Sequence, residues 1–319
     1  MRVSVIGAGV VGLCVATELL QRGAEVTVFE RNPGLGGNAS WLAGGMLAPF
    51  CEGESAPANV VARGAGAIDW WARRVPGVVR SGSLVVAPPR DSAEVDRFSA
   101  RTREWERVDE ARISELEPDL AGRFRKGLFF PGEGHVDPRI ATAALVEQLR
   151  GLGGEVRFGA AFPPLPLAGE GLVIDCRGYA ARPDLPDLRP VRGEMLLVRT
   201  SEVRLRRPVR MLHPRIPLYI VPRAENVFMI GATMIESADA GGVSVRSAIE
   251  LLSAAYALHP AFGEAEILEM SAGIRPAFPD NEPRVVEANG RLYVNGFYRH
   301  GYLLAPYFAA KAAERIMAS

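Results

Sequence analysis

The stretch MRVSVIGAGVVGLCVATELLQRGAEVTVFE, residues 1–30, decides the fold of this chain. Residues 3–6 form an apolar run that is too short for a helix, which predicts a buried strand. The run ends in the glycine-rich turn GAGVVG at residues 7–12. A helix to about Arg22 and a second strand over residues 25–30 follow. The unit is therefore predicted to be a strand, a tight turn, a helix and a parallel strand.

The glycine spacing of this turn is the GxGxxG pattern of dinucleotide-binding proteins. Gly7 allows the tight turn, Gly9 leaves room for a pyrophosphate beside the backbone, and Gly12 lets the helix pack closely on the sheet. The helix N-terminus then presents unpaired N–H groups and the positive end of its dipole to the phosphates. Glu30, 18 residues after Gly12, is placed to accept a hydrogen bond from a ribose hydroxyl. The predicted contacts of this unit are Gly7, Gly9, Val10, Val11, Gly12, Glu30 and Arg31.

A lone GxGxxG is weak evidence, because glycine-rich turns are common. A purely structural βαβ unit is the alternative for the turn, and a solvated strand end is the alternative for Glu30. The strand before the turn, the helix after it and the acid that ends the second strand together favour dinucleotide binding.

The composition is that of a globular protein without net charge. The chain has 319 residues, and its 37 basic and 37 acidic side chains give a formal net charge of zero. No overall field therefore draws nucleic acid or an anionic membrane surface. The cysteines Cys14, Cys51 and Cys176 are odd in number and far apart, so neither a disulfide framework nor a metal site is expected. Glycines and Glu18 interrupt the apolar N-terminus, which argues against a signal peptide or membrane span and favours the cytoplasm.

The rest of the chain predicts an α/β fold with two kinds of sheet. Short strands at 155–158 and 171–176 extend the parallel sheet, with Cys176 at its cofactor edge. Residues 191–246 alternate as in an antiparallel sheet. Helical patterns lie at 59–75, 91–116, 140–150, 244–258 and 304–317, whereas residues from Met270 to a strand at 291–294 read as loops. The predicted dinucleotide-binding domain comprises 1–75, 127–183 and 270–319, and the discontinuous substrate domain comprises 76–126 and 184–269.

Residues 31–50, RNPGLGGNASWLAGGMLAPF, are rich in glycine and small residues. A segment of this kind directly after the second strand can lie against an extended cofactor, and Ser40 can donate a hydrogen bond to a phosphate. An ordinary surface loop is the alternative. Trp41, Leu42 and Met46 have the character of buried residues, which favours the cofactor interpretation.

Several motifs resemble the glycine oxidase branch of the D-amino-acid oxidase family, the flavoenzymes of thiamine-thiazole synthesis. The resemblance spans most of the chain, and the motifs together form a specific signature. They are GAGVVG with Glu30, ASWLAGGMLAP at 39–49, GHVDPR at 134–139, YIVPR with GATM at 219–234, AGIRP at 272–276 and YRHGYLLAP at 298–306.

The resemblance implies a Rossmann-type FAD-binding domain and oxidative deamination of a small amino acid to an imine and then a 2-oxo acid, with oxygen reduced to hydrogen peroxide. It implies that Arg275, Arg299 and Tyr219 line the substrate pocket, where a guanidinium fork can hold an α-carboxylate and a phenol can orient the substrate. It also places the N-terminus of the last helix at the flavin. Further cofactor contacts on this interpretation are Ser40, Ala43, Gly44, Gly45, Met46, Phe162, Cys176, Gly178, Arg299, His300, Gly301, Tyr302 and Leu303.

The sequence departs from the family at two places. Residues 158–171 are short for the family's usual β-meander near the adenine. Ala277 and Phe278 follow Pro276 where family members often have a glycine, which predicts a narrower pocket.

Two other functions remain open. The same flavoprotein could pass electrons to an acceptor other than oxygen, as a dehydrogenase, or the turn could serve a nucleotide-binding module without turnover. A small amino acid and an electron acceptor are the expected partners, self-association is open, and FAD is expected to be bound non-covalently. Lys126 and Lys311, the two lysines, are both poorly placed to assist oxygen at the flavin.

Overall fold

The structure is a computed structural model that describes residues 1–161, 171–213 and 218–318. Its strands are β1 (Arg2–Ile6), β2 (Glu25–Glu30), β3 (Met46–Leu47), β4 (Ser83–Val86), β5 (Glu106–Asp109), β6 (Lys126–Phe130), β7 (Gly134–His135), β8 (Glu155–Phe158), β9 (Leu172–Asp175), β10 (Arg189–Arg199), β11 (Val209–Met211), β12 (Leu218–Pro222), β13 (Val227–Gly231), β14 (Glu266–Ala277), β15 (Arg284–Ala288) and β16 (Arg291–Asn295). Its α-helices are α1 (Val10–Gln21), α2 (Pro49–Glu52), α3 (Ala58–Gly64), α4 (Ala67–Ala72), α5 (Ala93–Arg101), α6 (Glu110–Leu116), α7 (Pro138–Gly151), α8 (Val245–Leu258) and α9 (Gly301–Met317).

β1 lies inside a six-stranded sheet with the order β15-β16-β9-β1-β2-β8. It pairs in parallel with β2, where Val3 is opposite Val26 and Val5 opposite Val28, and with β9 on its other side. Helix α1 packs against α7 and α9, and Leu13 of α1 is fully buried in this core. The predicted strand–turn–helix–strand unit and the Rossmann-type sheet are confirmed.

The second large sheet has eight strands in the order β14-β10-β13-β12-β11-β4-β6-β5. Its neighbours are antiparallel except β11 and β4, which pair in parallel. Helix α8 packs on this sheet and buries Leu251 and Leu258 against it. The Ser244 Oγ accepts a hydrogen bond from the Ser247 N–H at 3.2 Å, which caps α8. The predicted antiparallel sheet is confirmed.

Three predicted elements are wrong. The loop predicted from Met270 is the second half of β14, which pairs with β10 along its whole length. The helix predicted at 59–75 is split into α3 and α4, and β5 separates α5 from α6 within 91–116. The same predicted loop also contains strand β15.

The proposed domain boundaries stay a prediction. Strands β6 and β14 both belong to the eight-stranded sheet, although boundaries after 126 and 269 assign most of their residues to the cofactor domain. Within the described residues, no helix combines the length and the apolar character needed to cross a membrane.

Candidate active site

The turn between β1 and α1 is built so closely that only glycine fits at its ends. Gly7 has φ +100°, and a Cβ there would lie 2.9 Å from the Cys176 carbonyl oxygen. A Cβ on Gly12 would lie 1.9 Å from the Gly7 carbonyl oxygen. Gly9 has more room, with the Ser40 Oγ 3.2 Å from its Cβ position. The backbone is therefore open on the side of Gly9, where a phosphate can approach.

Glu30 and Ser40 hold the turn from the side. The Ala8 N–H donates to Glu30 Oε2 at 2.9 Å and the Asn32 N–H donates to Glu30 Oε1 at 2.9 Å. The Val10 N–H donates to Ser40 Oγ at 3.0 Å. Each carboxylate oxygen can accept a second hydrogen bond, and the Ser40 hydroxyl still has its own proton to donate. Both side chains can therefore contact a ligand while they brace the turn.

A cavity of about 1370 Å³ extends from this turn to β12 and β14. That volume exceeds the roughly 300–1,000 Å³ of most small-molecule pockets and suits a dinucleotide with a substrate beside it. Gly12 lies beneath the turn rather than in the lining, and Phe162 lies outside the described residues. The predicted residues that line it are Gly7, Gly9, Val10, Val11, Glu30, Arg31, Ser40, Ala43, Gly44, Gly45, Met46, Cys176, Gly178, Tyr219, Arg275, Arg299, His300, Gly301, Tyr302 and Leu303.

At the end of the cavity formed by the eight-stranded sheet, β12 provides Tyr219 and β14 provides Arg275. The Arg275 Nη1 donates to the Thr233 carbonyl at 3.1 Å. Its guanidinium lies over Gly193 of β10, where a Cβ would be 2.1 Å from Nη2. Gly44 fits against the Tyr219 ring, with Cε2 3.0 Å from the position of its Cβ. Burial raises the pKa of the Tyr219 phenol, so the hydroxyl keeps its proton near neutral pH.

Arg299, which follows β16, is occupied by other protein groups. Its Nη2 lies 2.7 Å from Glu52 Oε2 and donates to Ser55 Oγ at 2.7 Å. Glu52 is therefore the ion-pair partner of Arg299, and Ser55 accepts its hydrogen bond. Burial by itself would raise the pKa of Glu52, but the Arg299 and Arg210 charges outweigh it and lower that pKa to about 2. Glu52 is therefore ionised at neutral pH.

Glu52 and Arg210 line the cavity although the sequence analysis did not predict them. Arg210 of β11 stands opposite Tyr219 of β12 in the sheet. Its guanidinium is buried and lies 3.9 Å from Glu52 and 3.7 Å from Glu54. No local motif marks either residue, since Glu52 is one of two acids in CEGES and Arg210 is one of many arginines.

Helix α9 presents its N-terminus to the cavity, as predicted. Gly301, Tyr302 and Leu303 line the cavity at the first turn, where helical N–H groups have no partner within the helix. His300 precedes them, and burial lowers its pKa to about 4, so the imidazole is neutral near pH 7. The Tyr302 hydroxyl donates to the Ser40 carbonyl at 3.1 Å, which ties α9 to the segment at 39–49.

The expected narrowing by Phe278 does not occur. Phe278 packs with Ala181, Leu185 and Tyr293 in a separate apolar cluster and is absent from the cavity lining. The glycine difference next to Pro276 therefore leaves the substrate end unobstructed. Within the described parts of the chain, no group of three or more His, Cys, Asp or Glu side chains is arranged to hold a metal ion.

A family model described as DAO, FAD dependent oxidoreductase, matches residues 2–315. The chain belongs to this family. Its glycine cradle, its large cavity and the free N–H groups of α9 all suit FAD, which is the cofactor of the family.

Curated relatives of this DAO-family chain include enzymes of amino-acid oxidation. The chain is 54% identical to the "Putative thiamine biosynthesis oxidoreductase ThiO" of Rhizobium etli, over 99% of its length and 97% of that protein. It is 28% identical to the glycine oxidase of Geobacillus kaustophilus, over 98% and 92% of the two chains. It is 29% identical to the "Bifunctional protein ThiO/ThiG" of Nostoc sp. over 98% of its length, but it spans 52%, about half, of that longer relative.

Solved structures agree with this assignment. The crystal structure of glycine oxidase from Geobacillus kaustophilus superimposes with a TM-score of 0.83 at 25% identity, covering 100% of this chain and 95% of that one. The L-proline dehydrogenase of P. horikoshii superimposes with a TM-score of 0.82 at 18% identity, over 99% and 93% of the chains, and shares the fold. The predicted α/β fold and FAD-family membership are confirmed.

Proposed function

We propose that this protein catalyses the FAD-dependent oxidative deamination of a small amino acid, with glycine as the reference substrate, and reduces oxygen to hydrogen peroxide. The observation that supports it most is the Arg275 guanidinium at the end of the FAD cavity, beside Tyr219 and without a carboxylate partner among the described residues. A guanidinium in this position is suited to an α-carboxylate. The relatives named glycine oxidase and ThiO support the same reaction class.

In this proposal Arg275 binds and orients the carboxylate of the amino acid, while the Thr233 carbonyl holds the guanidinium from behind. Tyr219 keeps its proton and can donate a hydrogen bond to the substrate. FAD, when bound, supplies the two-electron acceptor for the substrate Cα–H. His300 is neutral at pH 7 and is not required as a base, provided that the substrate enters with a neutral amine.

The reaction balances without a metal. The amino acid loses a hydride from Cα and a proton from nitrogen and becomes an imine, which water hydrolyses to a 2-oxo acid and ammonia. The two electrons and two protons convert oxygen to hydrogen peroxide. The first residues of α9 line the cavity, and their backbone N–H groups would stabilise negative charge on the reduced cofactor.

The wider setting of the reaction is also a proposal. The relative named "Putative thiamine biosynthesis oxidoreductase ThiO" supports a role of this reaction in thiamine biosynthesis, to which it would supply the imine. The three cysteines are free and buried, which suits a reducing cytoplasm. Light scattering, which gives the molar mass in solution, would measure whether the protein self-associates.

The proposed function is tested by mixing the purified holoprotein with glycine, N-methylglycine or D-alanine. We expect the flavin absorbance to bleach without oxygen, and oxygen uptake to match peroxide formation in air. If an amino acid bleaches the flavin and an artificial electron acceptor sustains turnover, but no peroxide forms in air, the result would favour the dehydrogenase. A flavin that none of these amino acids bleaches would contradict the proposal.

A further inference from the structure

The charged side chains at the substrate end of the cavity are unevenly paired. Glu52 lies 2.7 Å from Arg299 and 3.9 Å from Arg210. Glu54 lies 3.3 Å from Arg101 and 3.7 Å from Arg210. Arg275 has no carboxylate within ion-pair distance among the described residues. Each arginine of this group except Arg275 therefore has a carboxylate within 4.0 Å, and Arg275 is the one left without an anionic partner.

The Glu52 carboxylate is held rigidly at the cavity wall. Glu52 is the last residue of the short helix α2, and its side chain is 17% exposed. The preceding Cys51 N–H donates to Glu133 Oε1 at 2.7 Å, which ties that helix to the turn before β7. Glu52 therefore cannot turn away from a substrate without breaking its contact with Arg299.

We propose that Glu52 is a specificity-determining residue that admits amino acids with one carboxylate and rejects those with two. Glu52 pairs with Arg299 and lies near Arg210, so Arg275 is the arginine at the substrate end that remains to bind an anionic group. A second substrate carboxylate would find no free cation and would lie near a like charge in a buried site, which costs affinity. The inference deepens the proposed function and rests on Arg275 as the carboxylate anchor.

The test compares a monocarboxylate and a dicarboxylate in two ways. The first is kcat/KM for N-methylglycine against iminodiacetate, which adds a second carboxylate to the same secondary amine. The second is calorimetric binding of acetate against malonate to the oxidised holoenzyme, which needs no turnover. We expect the wild-type protein to prefer the monocarboxylate in both. Glu52→Gln should shift both ratios toward the dicarboxylate by about tenfold or more, since it frees Arg299 and removes the repulsion.

A matched control is Glu282→Gln. Glu282 also pairs with an arginine, at 3.1 Å from Arg63, and its side chain is 24% exposed, but it is absent from the cavity lining. The control should leave both ratios unchanged.

Unchanged ratios in Glu52→Gln, or malonate binding to the wild type as tightly as acetate, would overturn the inference. The wild-type comparison stands even if Glu52→Gln does not fold. A wild-type protein that oxidises neither glycine nor N-methylglycine would instead refute the proposed function, and the two anions would still report the charge selection.

Discussion

Arg275 is the residue on which substrate binding depends most in this site. Arg275→Ala should reduce kcat/KM by the equivalent of about 2 to 4 kcal/mol, because a charge-assisted pair with the carboxylate is lost. The melting temperature of Arg275→Ala should change little, since the described contact of Arg275 is one hydrogen bond to Thr233.

Arg299→Ala should lower the melting temperature as well as kcat/KM, because it leaves Glu52 buried without that cation. Steady-state kinetics and thermal melts check both, and an unchanged kcat/KM in Arg275→Ala would refute the anchor.

Gly193 lies outside the cavity lining and leaves room for the Arg275 guanidinium. A Cβ at Gly193 would lie 2.2 Å from the Arg275 Cζ, and the guanidinium is the mobile end of a flexible side chain. Gly193→Ala should therefore fold normally but displace the guanidinium, raising KM on the order of tenfold or more. Gly66→Ala is the control, because a Cβ there meets nothing within 4 Å. A KM within twofold of wild type in Gly193→Ala would show that Arg275 has another equally good position.

The sequence predicted part of this site and missed part of it for a physical reason. Tyr219, Arg275 and Arg299 lie in motifs that could be recognised locally. Glu52 and Arg210 acquire their role from the pairing of β11 with β12 and from the ion pair across to Arg299, which join distant parts of the chain. No spacing along the sequence encodes such contacts.

Among the secondary-structure elements, α2 depends on a buried carboxyl group. Glu133 is 1% exposed, and burial raises its pKa from the usual 4.5 to about 7. The folded state therefore keeps a proton that the unfolded state loses. The stability that this group contributes is complete below pH 4.5 and is lost as the pH rises to about 7.

Glu133→Gln should remove this pH dependence, since Gln keeps an acceptor for the Cys51 N–H and carries no charge. Relative to wild type, the variant should gain on the order of 1 to 3 kcal/mol of unfolding free energy between pH 5 and pH 8. Urea unfolding at the two pH values measures the difference. An equal difference between variant and wild type at both would contradict a raised pKa.

The elements themselves followed from local patterns except where tertiary pairing overrode them. The strand–turn–helix unit and the helices α7 and α8 arise from local patterns, and they were predicted correctly. Strand β14 was missed because Gly273 and Pro276 are typical of loops. It lies at the edge of the eight-stranded sheet, and its pairing with β10 holds it extended. At its end, the Pro276 carbonyl accepts a hydrogen bond from the Tyr298 N–H at 2.7 Å.

At the scale of the whole molecule, the cavity joins the two sheets. The six-stranded sheet supplies the glycine turn and Glu30, whereas the eight-stranded sheet supplies Tyr219 and Arg275. A ligand long enough to contact both ends of the cavity therefore binds only when the two sheets are packed together. FAD has that length, and its binding should stabilise the folded chain as a unit.

We expect FAD to be bound non-covalently and to raise the melting temperature in proportion to the logarithm of its concentration. Each tenfold excess over the dissociation constant adds about 1.4 kcal/mol. Burial raises the pKa of the Cys176 thiol, which lines the cavity, so it is a poor nucleophile for a covalent link.

Riboflavin, which lacks the pyrophosphate and adenosine, cannot reach the Gly9 turn and should stabilise the protein less. Acid precipitation should leave the yellow colour in the supernatant. A coloured pellet, or a melting temperature that riboflavin raises as much as FAD does, would show that the glycine turn does not hold the cofactor as inferred.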